Sequence, residues 1–150
     1  MKINIITIGT FKNKDYYKSL FEEYKKRINW NINLIEIKQK NYQSVDLQKI
    51  NEEKLLLEHH NINNKLIVLD ERGEIISTPD FEIKLSNFEI NGGIDFIIGG
   101  SDGLTQNVRN KADFVLSFGK MVFPHLMVRV MLMEQIYRVY TLKNNHPYHK

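Results

Sequence analysis

Apolar residues along this chain switch repeatedly between a period of two and a period near 3.6, and the switching predicts strands alternating with helices. Lys2-Ile-Asn-Ile-Ile-Thr-Ile8 reads as a strand, followed by a basic loop, Gly9 to Lys14. From Asp15, an expected N-cap, the residues Tyr17, Leu20, Phe21, Tyr24 and Ile28 recur at helical spacing and define one buried face. Trp30, beyond that helix, is expected to pack in a core or an interface. Ile32 to Ile37 alternates as a half-buried strand, and a polar loop, Lys38 to Ser44, leads into a helix from Val45 to Glu58 with Leu47, Ile50 and Leu57 as its inner positions. His59 and His60 point in different directions on a helix, so they are read as a solvated helix end and not as a metal site.

Leu66 to Leu69 is continuous apolar chain, the kind buried on both faces of a parallel sheet, and Asp70-Glu-Arg-Gly73 reads as a turn at its carboxyl end. Thr78-Pro79 fits an N-cap followed by proline at the first helical position, with Phe81, Leu85 and Phe88 inside and Asn91-Gly-Gly93 as the stop. Ile94 to Ile98 is the expected central strand, then a glycine turn and a short polar helix, then a strand from Phe114 to Phe118. Pro124 opens a last helix that is apolar almost all round, from Leu126 through Val139. Such a helix is expected to be buried on two sides, by its own sheet and by a second copy of the chain. The pattern as a whole is α/β, with a mostly parallel sheet, helices on both faces and one domain over residues 1–150.

Two stretches stand out for chemistry. Phe96-Ile-Ile-Gly-Gly-Ser-Asp-Gly-Leu104 is a strand that breaks into glycines, where backbone N–H groups can approach a ligand without a Cβ in the way. Phe118-Gly-Lys-Met-Val-Phe-Pro-His125 is a second loop of the same kind, and the two are read as walls of one pocket. The chain closes on Asn145-His-Pro-Tyr-His-Lys150, rich in titratable and aromatic groups.

Composition adds three points. No cysteine is present, which excludes disulfides and thiolate zinc sites, and the Met1-Lys-Ile-Asn start lacks the apolar core of a signal peptide, so the cytoplasm is the expected compartment. The longest apolar run is interrupted by Arg129, Glu134, Gln135 and Arg138 and falls short of the roughly 20 residues needed to span a bilayer, so no membrane partner is expected. The net charge of +3 is unevenly spread: residues 1–50 carry ten Lys/Arg against five Asp/Glu, residues 51–104 four against eleven, and residues 105–150 seven against two. The basic ends either solvate surface helices or form a phosphate-binding face, the latter if they meet in space.

The order and spacing of several motifs carry a family resemblance. Ile8-Gly-Thr-Phe-Lys12, Glu23-Tyr-Lys-Lys-Arg27, Leu69-Asp70 with Gly73, the Phe96–Leu104 run, Phe123-Pro-His125, Glu134-Gln-Ile-Tyr-Arg138 and the terminal His-Pro-Tyr-His-Lys together resemble the RlmH (YbeA) family of SPOUT-class methyltransferases. Members methylate N3 of a pseudouridine in 23S ribosomal RNA within the assembled ribosome. The resemblance implies an α/β knot, with the carboxyl-terminal segment threaded through a loop, a homodimer, and S-adenosyl-L-methionine as cofactor. It places cofactor contacts on Leu69, on Gly99 with Gly100 and Gly103, and on Phe118, Gly119, Lys120, Met121, Val122 and Phe123. Gly119 stands where the family often has serine and Val122 where it has threonine, which implies a looser second loop here; Leu126 stands where the family often has glutamine, which implies an altered substrate-side contact.

Methylating an imide nitrogen requires that its proton leave, to a side chain or to water. His125, Tyr148 and His149 are the catalytic candidates by residue type and location. His125 either takes the proton or holds the loop to the following helix; the tail pair packs on, or completes the site of, a partner subunit. Arg129 and Arg138 either meet phosphate or pair with acidic groups. Two other functions share these residues: a knotted methyltransferase acting on transfer RNA, and a ribosome-associated binding protein without catalysis. No metal is expected, since His146 and His149 alone are too few ligands.

Overall fold

The computed structural model describes residues 1–12, 15–90 and 92–149. Asn13 and Lys14 of the basic loop, Asn91 of the expected helix stop and Lys150 of the tail lie outside the described residues. Five strands, β1 (Lys2–Ile8), β2 (Asn31–Ile37), β3 (Lys65–Glu74), β4 (Ile94–Ile98) and β5 (Phe114–Leu116), alternate with five helices among the described residues. The helices are α1 (Tyr16–Lys25), α2 (Val45–Glu58), α3 (Thr78–Glu89), α4 (Gln106–Lys111) and α5 (His125–Lys143). The sheet runs in the order β2-β1-β4-β3-β5 with every pairing parallel. The expected α/β class, with helices on both faces, is therefore present.

Strand alternation divides the core. Ile3 and Ile5 of β1 and Ile94, Phe96 and Ile98 of β4 pack with Phe21 of α1, Phe81 and Leu85 of α3, and Leu132, Met133 and Ile136 of α5. Ile6, Ile8, Leu66, Val68 and Ile97 point the other way, onto Leu56 of α2 and Val108 of α4. Each such fully buried side chain contributes about 1.5–3 kcal/mol relative to exposure. β4, buried at all five positions, is the central strand the apolar run predicts.

Helix starts follow local chemistry. Asp15 accepts from the Tyr17 N–H and Ser44 from the Leu47 N–H, as expected of N-caps. The cap of α3 is one residue earlier than expected: Ser77 accepts from the Asp80 N–H, which leaves Thr78 as the first helical residue and Pro79 as the second. Trp30 packs edge-on against Tyr140 at 5.3 Å, in the core role expected of it.

Several expectations are overturned. Leu20 is exposed rather than buried and lines a second hollow. α2 turns away Leu47 and Ile50 and buries Gln48, Glu52 and Leu56 instead, with Glu52 against Gly100 of the glycine loop. Asp70 to Gly73 do not end β3; they bow out as a bulge, after which Glu74 pairs with Leu116 again. β5 stops at Leu116, not Phe118. His60 is no solvated end: its Nδ1 lies 2.9 Å from the fully buried Asp95 carboxylate, which also accepts from the Asn4 and Asn64 amides. For α5 the expectation of burial by its own chain holds on one side, where α1, α3 and β4 pack on it, while Leu126, Met127, Val128 and Met131 stay partly exposed.

Candidate active site

The carboxyl ends of β3, β4 and β5 open into a cleft of about 640 Å³, the position where parallel sheets hold ligands. One wall is the glycine loop after β4. Gly99, Gly100 and Gly103 line it, and Gly103 has φ +76°, a left-handed conformation that glycine adopts without strain. A Cβ on Gly99 would lie 2.8 Å from the Leu104 side chain, so the loop folds back on its own apolar end. The other wall is Phe118, Gly119, Met121, Val122 and Phe123, and Leu69 forms the floor with Ile98 and Leu116. Nine of the ten cofactor positions named from the resemblance thus line one cleft; Lys120 is exposed and does not line it.

The β3 bulge completes the rim. Asp70, Glu71 and Arg72 line the cleft because the strand bows outward there. The bow requires Gly73: a Cβ would lie 2.6 Å from the Val115 carbonyl oxygen, so only glycine lets β3 pass that close to β5. Asp70 is held by Arg109 of α4 at 3.0 Å, and the same guanidinium donates to the Leu104 carbonyl at 2.7 Å. Arg109 therefore ties the rim to the end of the glycine loop.

His125 enters the cleft from the first turn of α5. Burial, and then the charge of Arg129, hold its pKa below the ordinary histidine value, so the ring is neutral at neutral pH. Arg129 is fully buried, donates to the Ile8 and Gly9 carbonyls at 2.7 and 3.1 Å, pairs with Glu36 at 3.0 Å and lies over the Phe11 ring. Of its two expected roles it has the acidic pairing. Arg138 likewise pairs with Glu134 at 2.6 Å.

The tail lies elsewhere. Tyr148 packs tilted against Tyr137 at 4.7 Å, receives Arg138 over its ring and donates its hydroxyl to Glu134 at 3.2 Å. Burial, with Tyr24 and Glu134 beside it, raises its pKa, so it remains a phenol. Tyr137 is twelve residues beyond His125 on α5, a rise of about 18 Å. One chain therefore does not bring the tail pair to His125. His149 Nδ1 is buried without a hydrogen-bond partner.

Asp70, Glu71, Arg72 and Asp102 lie in the strand-end turn and glycine loop that the sequence places at the pocket, whereas sequence reasoning missed Lys49 as a cleft residue and Glu52 behind it. The last had a signal: Gln48, Glu52 and Leu56 are spaced i, i+4, i+8, one stripe of a helix whose other faces carry the more apolar residues.

The residue set suits a cationic nucleoside cofactor. Leu69, Phe118 and Leu116 offer apolar faces to a base, glycine backbone offers donors and carbonyls, and Glu71 and Asp102 offer negative charge to a sulfonium or ammonium. Among the described residues no helix is long and apolar enough to cross a membrane.

Comparison with known proteins bears on the family. A family model described as "Predicted SPOUT methyltransferase" matches residues 1–149. "Ribosomal RNA large subunit methyltransferase H" of Clostridium botulinum (strain Hall) is 39% identical, and the protein of that name from Clostridium kluyveri is 36% identical, each alignment covering 100% of both chains. A probable methylase family protein from Haemophilus influenzae matches in structure with a TM-score of 0.59 at 14% identity, over 99% of this chain and 70% of that one, a likeness of fold alone. With a full-length family match and full-length relatives well above 30% identity, the chain belongs to the SPOUT methyltransferases, in the family of ribosomal RNA large subunit methyltransferase H.

Proposed function

We propose that this methyltransferase uses S-adenosyl-L-methionine to methylate N3 of a pseudouridine in 23S ribosomal RNA, on the assembled ribosome and in the cytoplasm. The observation that carries the proposal is the cleft itself: two glycine-bearing loops and the end of β3 converge where the resemblance puts the cofactor, in a chain whose full-length relatives bear the ribosomal methyltransferase name.

When bound, the cofactor supplies an electrophilic methyl on its sulfonium. The chain's part is to hold the donor in line with the acceptor and to take the acceptor's proton. Leu69 and the two loop walls fix the cofactor, and the Glu71 and Asp102 carboxylates favour its positive charge. His125, neutral and within the same cleft, is the proposed acceptor of the imide proton. Tyr148 and His149 act from the partner subunit, since about 18 Å of helix separates the tail's docking site from His125 in one chain.

A homodimer is the proposed working form, acting as one domain per chain, with the carboxyl-terminal segment knotted. Support for the dimer comes from an apolar hollow of about 480 Å³ bordered by Leu20, Ile75, Phe118 and Met131, of which Leu20 and Ile75 are exposed. The basic ends adjoin, as a phosphate-binding face requires: α1 packs on α5, Arg27 lies 5.8 Å over Tyr137 and Lys143 5.9 Å over Trp30. With no separate RNA-binding module in the fold described, recognition falls to this face and to a substrate already shaped by the ribosome.

The test is transfer of labelled methyl to intact ribosomes lacking the modification, with mapping of the labelled nucleoside. Label on N3 of a large-subunit pseudouridine is expected. Absence of label on ribosomes, with transfer RNA labelled instead or cofactor bound without transfer, would overturn the assignment.

A further inference from the structure

The glycine loop is not self-supporting. Behind it, on the side away from the cleft, α2 buries Glu52 to 4% exposure. One carboxylate oxygen of Glu52 accepts the Gln48 amide at 2.5 Å, while Oε2 makes no well-aligned hydrogen bond and faces the loop beside the Gly100 N–H. A Cβ on Gly100 would lie 2.9 Å from that oxygen, so the Gly100 backbone is seated directly against the carboxyl group. The next residue, Glu53, accepts from the Thr105 hydroxyl and the Asn107 amide at the start of α4. Two successive acids on one helix thus hold the loop at its middle and at its far end. Lys49, one turn earlier, lines the cleft itself.

An acid here costs stability. Burying a carboxyl group with an oxygen that makes no well-aligned hydrogen bond is unfavourable, and an apolar residue in the Gln48–Glu52–Leu56 stripe would bury more cheaply. What the acid supplies is a rigid polar stop at a place where the loop has no side chain of its own.

We propose that Glu52 is a positioning residue for the cofactor: its carboxyl group, locked by Gln48, sets the height of the Gly99–Gly103 backbone, and with Glu53 it makes α2 the brace of that wall. The proposal rests on the cleft being the S-adenosylmethionine site. Glu52 touches the loop and not the cleft, so its effect belongs on cofactor affinity and not on the transfer step.

Calorimetric titration of S-adenosylmethionine into the full chain and three variants tests it, alongside amide exchange of residues 99–103 and turnover on ribosomes. Glu52→Ala is expected to weaken cofactor binding by about tenfold or more, equivalent to about 1.4 kcal/mol, and to speed exchange at Gly99–Gly103. Its kcat at saturating cofactor should stay within about twofold of the parent. Glu52→Gln, which keeps the shape and one amide contact, should recover most of the affinity. Leu56→Val, a core change on the same helix, should lower the melting temperature and leave affinity alone. Cofactor affinity of Glu52→Ala within about twofold of the parent would overturn the proposal, as would an equal loss in Leu56→Val. A parent protein that binds no cofactor would overturn the site reading and this role with it, and the parent titration alone distinguishes that failure.

Discussion

The two walls of the cleft are built on opposite plans. The glycine loop is held from three directions: by Glu52 beneath Gly100, by Glu53 at the start of α4, and by Arg109, which joins Leu104 to Asp70. The loop after β5 holds mainly itself. Ser117 Oγ accepts the Gly119 N–H at 3.0 Å, Gly119 sits at φ +123° with open space around it, and Met121 and Val122 are 74% and 82% exposed. The turn it leads into, the start of α5, has no side-chain cap. A braced wall keeps its shape without ligand, whereas a bare one has few contacts to lose and is ordered by what binds it. On the proposed cofactor reading, the cleft is expected to be preformed on the β4 side and completed on the β5 side.

The largest expected effect comes from cutting the tether behind the bare wall. Arg129→Met removes the buried guanidinium that fastens α5 to the end of β1, leaving the Ile8 and Gly9 carbonyls without that donor and Glu36 without its cation, held by the Phe11 N–H. Urea unfolding should show a loss of about 3 kcal/mol. Next come paired glycine changes. Gly100→Ala should weaken S-adenosylmethionine binding about tenfold by pressing on Glu52, and Glu52→Ala in the same chain should restore part of it. Gly119→Ala meets nothing in space, so its cost of about 1 kcal/mol comes from backbone strain at positive φ and is not relieved by Glu52→Ala.

The walls should also differ in the sign of their pH dependence. Burial, reinforced by Asp102, raises the Glu52 pKa above 4.5 despite the Gln48 amide and nearby Gly100 N–H. Its contribution to stability is therefore present below 4.5 and lost as pH rises through the raised value. His125 is depressed below 6.5, so its contribution is present above 6.5 and lost as pH falls through the lowered value. Stability measured against pH should flatten on the acid side of 6.5 in His125→Asn, and from 4.5 upward in Glu52→Gln. The smallest effect belongs to Val122→Thr. At an exposed position it should change stability by no more than about 0.5 kcal/mol, while slowing amide exchange of the second loop if a hydroxyl helps to order it.

Much of this arrangement was legible in the chain. β1, β4 and α2 have the bounds that periodicity predicts, and both loops are announced by glycines beside apolar runs, because those signals are local. Long-range pairings were not legible. Glu52 reads as a solvated helix acid until the glycine loop is seen to lie over it, and His60 reads as a frayed end until Asp95 is found beside it. Asp-Glu-Arg-Gly has turn composition and does leave the strand line, but β5 draws the chain back into the sheet at Glu74. Likewise, an arginine on an apolar helix gives no sign of whether it meets phosphate or a carboxylate. Only the approach of β1 and Glu36 assigns Arg129 to the core.

Amide hydrogen exchange of the full chain, with and without saturating S-adenosylmethionine, tests the unequal-wall account most directly. The account predicts slow exchange at Gly99–Gly103 in the free protein with little further gain, and fast exchange at Phe118–Phe123 that slows by about tenfold or more on binding. Equal gains in the two loops, or protection confined to residues outside both, would contradict it.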